Sequence, residues 1–187
     1  MYHTASDPRL PAWACVGERR LEHIRRVSDL VEGWAEAMRI APDERLRWLR
    51  AVWLHDALRD AEPAVLVAEG GETAGVTLLD ILHGPAAAHR AEREGERDQG
   101  ILDAVRYHSV GYAGWEPVGR VLYAADFLEP GRSFDREERA ALAERFPRDP
   151  DAVFRDVVRR RLSYIVREGW SIPEPTVRLW NHLAASG

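Results

Sequence analysis

Apolar residues recur along this chain at intervals of three and four. From Glu18 to Arg39, His23, Val27, Leu30, Val31 and Trp34 fall on one stripe, the spacing of an amphipathic helix. Pro42 suits a first helical turn, and the stretch it opens puts Trp48, Ala51, Val52 and His55 on a common face. Glu62 to Glu72 predicts a short helix closed by the Gly70-Gly71 turn. Leu78 to Leu82 leads into His83-Gly84-Pro85, where the proline is expected to start the next helix and leave His83 just before its N-terminus. Residues 97 to 108 repeat the stripe with Ile101, Ala104, Val105 and His108, and beyond a Gly/Pro loop Val118, Leu122 and Asp126 align at intervals of four. Asp135 followed by Glu138 predicts a capping box for a helix ending near Phe146. A further helix runs from Pro150 to Glu168 and stops at Gly169, and a last one follows Pro173-Glu174-Pro175.

No alternating strand pattern extends beyond a few residues, and no repeat or low-complexity linker divides the chain. The expectation is all-α: a single domain over residues 1–187, with a core of about 20–184, an irregular segment at 1–17, and about seven to nine helices. At 187 residues the chain can bury a substantial core but is short for two typical domains.

The stripes carry an anomaly. Four of the helical stretches place ionisable residues on their apolar faces: His23, the adjacent pair His55-Asp56, His108 and Asp126, with His83 on the expected turn between them. Groups of this kind are tolerated in water-excluding surroundings when something of opposite charge compensates them, and a cation is the simplest compensator. The chain has one cysteine, Cys15, which excludes an internal disulfide and a cysteine-rich zinc site. Mixed nitrogen and oxygen donors suit first-row transition metals such as iron or manganese.

Asp56 is the natural shared ligand, since its two oxygens can bridge two cations. His23, His55 and Asp126 then complete one site, and His83 and His108 the second. Two cations so placed acidify a bridging water and neutralise phosphoryl oxygens during in-line attack, which points to hydrolysis of a phosphate ester or anhydride. Arg59, three residues after Asp56 on what is expected to be the same helix face, and Arg132, after Glu129-Pro130-Gly131, where a turn is expected to aim it back toward the centre, are candidate phosphate ligands because a guanidinium fork matches phosphate oxygens. His3, His89 and His182 lie outside the pattern and are read as surface or locally bonded residues. Most tryptophans are core by spacing, with Trp115 a candidate stacking platform for a base.

Charge narrows the function further. All 26 basic residues are arginine, and the net charge of −5 gives no basic footprint for a nucleic-acid polymer. No apolar run approaches the roughly 18 residues needed to span a bilayer, and the N-terminal residues lack the apolar region of a signal peptide. The expected setting is cytoplasmic, with no membrane partner.

The spacing of His23, His55-Asp56 and Asp126 resembles the HD-domain phosphohydrolase superfamily, and more closely its bacterial YqeK-type hydrolases. The matching segments are Leu21-Glu22-His23, Leu54-His55-Asp56-Ala57-Leu58-Arg59, Leu82-His83-Gly84-Pro85, Tyr107-His108-Ser109-Val110-Gly111 and Tyr123-Ala124-Ala125-Asp126-Phe127-Leu128-Glu129-Pro130-Gly131-Arg132. That resemblance implies a helical HD fold and a di-iron enzyme that splits diadenosine tetraphosphate symmetrically into two ADP. It also implies catalytic roles for Asp56, Arg59 and Asp126, substrate contacts for Arg59, Ser109 and Arg132, and a homodimer. Two positions depart from the family pattern, which has lysine where Arg59 stands and threonine where Ser109 stands. An HD nucleotidase would lack His83 and His108, a cyclic-dinucleotide phosphodiesterase would carry adjacent histidines, and a non-catalytic nucleotide-sensing module would have lost ligands.

Overall fold

The computed structural model describes residues 7–70 and 79–185. His3, Gly71, Glu72 and Leu78, each part of the sequence reading, lie outside them. Among the described residues there are nine helices and no strand: α1 (Glu18–Ala37), α2 (Pro42–His55), α3 (Pro63–Gly70), α4 (Leu79–Arg93), α5 (Gln99–Tyr107), α6 (Pro117–Leu128), α7 (Arg136–Arg145), α8 (Pro150–Arg167) and α9 (Glu174–Ala185). The fold is all-α, as the periodicity predicts.

Local chemistry sets most of the boundaries. Proline occupies the first turn of α2, α6 and α8, where its missing N–H costs nothing. Asp98 caps α5 by accepting from the Ile101 amide, and Asp149 caps α8 through the Ala152 amide. Gly169 ends α8 in the left-handed region at φ 68°, a conformation that costs glycine little.

Two expectations about boundaries are corrected. Pro85 lies inside α4 and does not open it, so His83 is a mid-helix residue. The helix is carried past the proline by packing: Ala86, Ala87 and Ala88 are fully buried, and Gly84 lies so close to α5 that a Cβ there would sit 2.9 Å from the Val105 carbonyl oxygen. Asp135 does precede α7, but no capping box forms. Its backbone is left-handed, at φ 43°, and its side chain makes no cap bond, while Glu138 accepts instead from Arg160 on α8 at 2.6 Å.

α1, α2, α5 and α6 pack against one another around the centre, α4 closes over α2 and α5, and α8 lies across α6. One hydrophobic cluster runs from Val16 to Leu183 and draws on residues of every layer. Trp34 of α1 stacks on Phe146 at 3.9 Å between ring centres, and its indole N–H donates to the Ala143 carbonyl. Trp115 is also core. It is buried against Tyr123 and Phe154 and donates to the Asp103 carbonyl, so it presents no free face for a base.

Candidate metal centre

α1, α2, α4, α5 and α6 converge on one buried spot, and each delivers an ionisable residue to it. His23 sits in the second turn of α1. His55 is the last residue of α2 and Asp56 its C-cap, at φ −108° and ψ 13°, so the pair occupies a helix end rather than successive positions on a helix face. His83 comes from α4, His108 is the C-cap of α5, and Asp126 lies in the last turn of α6. All six are less than a tenth exposed.

The Asp56 carboxylate divides the histidines. Its Oδ2 lies 3.6 Å from His23 Nε2 and 3.5 Å from His55 Nε2. Its Oδ1 lies 3.1 Å from His83 Nε2 and 3.6 Å from His108 Nε2. Two groups of donor atoms close enough to hold an ion therefore share this residue: His23, His55 and Asp56, and Asp56, His83 and His108. Asp126 Oδ1 stands 3.2 Å from His23 Nε2, at the edge of the first group.

Hydrogen bonds on the far side of each ring fix which nitrogen faces inward. His55 Nδ1 lies 2.6 Å from the Val52 carbonyl oxygen and His108 Nδ1 lies 2.8 Å from that of Val105. A carbonyl only accepts, so both Nδ1 atoms carry the proton and both Nε2 atoms present lone pairs to the centre. His23 Nδ1 rests against Glu129 Oε1 at 3.2 Å. This second layer of bonds is the support that metal-ligating histidines need.

The buried Nε2 atom of His55 has no hydrogen-bond partner. A lone pair stranded in a dry site is costly, and a cation satisfies it, so the donor set fits a divalent metal. Burial holds the His55 imidazole down at about 4, which keeps it neutral and able to ligate. Burial also opposes charge on His23, yet the carboxylates of Asp126 and Glu129 raise it to about 9. Asp56 and Asp126 are held well below the usual carboxylate range: burial works against them, but the surrounding histidines outweigh it at Asp56, and Arg132, His23 and Arg161 outweigh it at Asp126.

A ring of arginines surrounds these carboxylates. Arg20 donates to Asp56 Oδ2 at 2.7 Å, Arg132 to Asp126 Oδ1 at 2.5 Å, and Arg161 to Asp126 Oδ2 at 2.7 Å. Arg26 and the Gly131 amide donate to Glu129 Oε2. The turn after α6 does aim Arg132 back at the site. Arg59 differs from expectation: α2 has ended four residues earlier, so Arg59 shares no helix face with Asp56. Its guanidinium makes no hydrogen bond or ion pair among the described residues, although its charge is near enough to help lower the His83 pKa, behind burial as the main cause. Ser109 lies beside the second group, its hydroxyl 3.2 Å from His108 Nε2. His89 bonds locally to the Glu69 carbonyl.

Sequence reasoning missed Arg20, Glu129 and Arg161. Arg20 stands one turn before His23 and Glu129 three residues after Asp126, so helical spacing from a ligand was the available signal. Nothing in the sequence connects Arg161, on α8, to Asp126.

A helical bundle that gathers four histidines and two aspartates where a metal ion could be held, rimmed by guanidinium groups, has the donors a metal-dependent phosphohydrolase needs. Residues 20–143 match the HD domain model, and the chain belongs to the HD domain family. A Bacillus subtilis relative, a symmetrical bis(5'-nucleosyl)-tetraphosphatase, is 33% identical over 136 residues, covering 67% of this chain and 72% of its own. A Staphylococcus aureus protein of the same name is 38% identical over 55 residues, 29% of this chain and 28% of its own. A crystal structure from Clostridium acetobutylicum, described as a predicted HD superfamily hydrolase involved in NAD metabolism, superposes with a TM-score of 0.78 at 21% identity over 92% of both chains. That likeness is one of fold. No helix among the described residues is long and apolar enough to cross a membrane.

Proposed function

We propose that this chain hydrolyses a dinucleoside polyphosphate, diadenosine tetraphosphate first, at its central anhydride to give two ADP. The observation that carries the reading is the division of the Asp56 carboxylate between His23 and His55 on one oxygen and His83 and His108 on the other. The Bacillus subtilis relative, whose name specifies symmetrical cleavage of this substrate class, supports it.

His23, His55, Asp56 and Asp126 would hold one cation, and Asp56, His83 and His108 the other, iron being the first choice among metals suited to mixed nitrogen and oxygen donors. When bound, such cations supply Lewis acidity and lower the pKa of water to the neutral range. The remaining work belongs to the chain. Arg132 and Arg20 bring guanidinium groups to the open edge of the site, where they bind and orient phosphate oxygens. Arg59 adds positive charge on the His83 side. Ser109 lies between the second group and a cavity of about 440 Å³ lined by Tyr107, Tyr112 and Arg178, and this cavity is the receptacle for a nucleoside end of the substrate. With one end held there and its phosphates on the arginines, the central anhydride would be brought to the metal-holding residues. The substrate is a small metabolite of the cytoplasm, and that is the setting in which a dimer of this chain would act.

Hydrolysis in oxygen-18 water, with products separated chromatographically and metal content measured after anaerobic purification, tests the reading. The expected result is two ADP, the label entering one of them at the β-phosphate. Early ATP and AMP in equal amounts would mean asymmetric cleavage, and turnover of nucleoside monophosphates alone would establish a nucleotidase.

A further inference from the structure

Both oxygens of Asp126 rest on guanidinium groups, and the two arginines are held in different ways. Arg132 reaches back from the loop after α6, with its side chain 35% exposed, and it also bonds the Asp126 carbonyl at 2.9 Å and lies 3.9 Å from Glu129 Oε1. Arg161 comes from α8 and is 16% exposed. Its guanidinium lies 4.1 Å from the centre of the Tyr123 ring and 5.5 Å from that of Phe127. It also reaches the carbonyl oxygens of His108, at 3.4 Å, and Tyr123, at 3.5 Å.

A cation held beside His23 and His55 has the nearer Asp126 oxygen within reach, where it would compete with the guanidinium already bonded to that atom. Oδ1, the atom 3.2 Å from His23 Nε2, is held by the half-buried loop residue Arg132, whereas Oδ2 is held by the more deeply buried Arg161, anchored on the Tyr123 ring. Resting on the proposed dinuclear reading, we infer that Arg161 is a positioning residue for the first cation site. It clamps Oδ2 so that Oδ1 points at His23, and it ties Asp126 to the end of α5 through the His108 carbonyl. Arg132 is the exchanging partner: it covers Oδ1 until a cation takes that atom, and is then free for phosphate.

The two arginines therefore respond oppositely to removal. Arg161→Gln frees Asp126 to rotate and weakens the first site, in the range of ten- to a hundredfold that loss of a ligand's supporting partner typically costs. Arg132→Gln removes a competitor for Oδ1, so cation affinity is kept or rises while inorganic phosphate binds more weakly.

Binding of Mn²⁺ to the full-length protein, followed by equilibrium dialysis and electron paramagnetic resonance, reads both effects without turnover. Wild type is expected to bind two ions and Arg161→Gln one with high affinity. His83→Ala is expected to bind one, and the double variant none tightly, since each change empties a different site. Arg161→Lys, which keeps the charge and a donor to Oδ2, should recover an intermediate affinity, and it serves as the deciding variant if Arg161→Gln does not fold. Two ions at unchanged affinity in Arg161→Gln or Arg161→Lys would reduce Arg161 to a brace between helices and overturn the inference, even if thermal stability falls. Fewer than two ions in wild type would instead sink the dinuclear reading itself.

Discussion

Replacing Gly84 by alanine tests how tightly α4 must approach α5 for the centre to form. A Cβ at this position would lie 2.9 Å from the Val105 carbonyl oxygen, 3.0 Å from that of Arg106 and 3.2 Å from His108 Cε1. The first two are backbone atoms in the last turn of α5 and cannot rotate aside. Restoring ordinary contact at 3.4 Å means opening the helix pair by about 0.5 Å. Overpacking of this kind costs about 1–3 kcal/mol, while exchanging glycine for alanine inside a helix returns up to about 1 kcal/mol. The net loss is about 1–2 kcal/mol, which for a domain of this size lowers Tm by roughly 2–8 °C. The same movement separates His83 Nε2 from Asp56 Oδ1 and His108 Nε2, now 3.1 and 3.0 Å away. Metal sites tolerate about 0.5 Å of misplacement, so the second ion should bind at least about tenfold more weakly. Thermal unfolding of the metal-free protein together with Mn²⁺ titration measures both effects. A raised Tm with two ions bound at wild-type affinity would mean that helix propensity dominates and that α4 and α5 are not in close contact.

Asp56→Ala should be the most damaging change at the centre, because it removes the carboxylate common to both groups and the partner of Arg20; metal analysis is expected to find less than one ion per chain. Arg132→Ala should leave metal content intact and lower catalytic efficiency by roughly ten- to a hundredfold, the equivalent of about 1.5–3 kcal/mol for a charge-assisted hydrogen bond; unchanged kcat/KM would place the guanidinium outside the substrate path. Asp98→Ala loses the α5 cap and the pair with Arg47, at a cost of about 1–2 kcal/mol near neutral pH. Because Arg47 above all lowers the Asp98 pKa, against the effect of burial, this stabilisation is complete above the ordinary carboxylate pKa and disappears as pH falls through the lower folded value. Urea unfolding of wild type and variant should therefore differ at pH 7 and converge in strong acid, and a constant gap would refute the charge assignment.

Periodicity alone determined the helical class, because a stripe of apolar residues at intervals of three and four is a property of one helix and needs no partner to be seen. Proline and glycine chemistry placed the start of α2 and α8 and the end of α8 for the same reason. The candidate ligands were legible because ionisable residues on apolar stripes are anomalous wherever the stripes meet, and the adjacent pair His55-Asp56 pointed to a carboxylate that two donor groups could share.

What failed were readings that depended on a neighbour. Pro85 carries a local signal for a helix start, but the close approach of Gly84 to α5 and the buried alanines that follow keep α4 continuous across it. Arg59 follows Asp56 by three residues, yet α2 ends at His55 and the spacing loses its meaning. Asp135 and Glu138 have the residue types of a capping box, but a left-handed backbone and an ion pair to α8 take both side chains elsewhere. Sequence thus determined which residues carry charge into the interior. Tertiary structure decided which guanidinium groups answer it, since Arg20, Arg132 and Arg161 reach Asp56 and Asp126 from three separate segments, and only packing sets the distances over which their charges act.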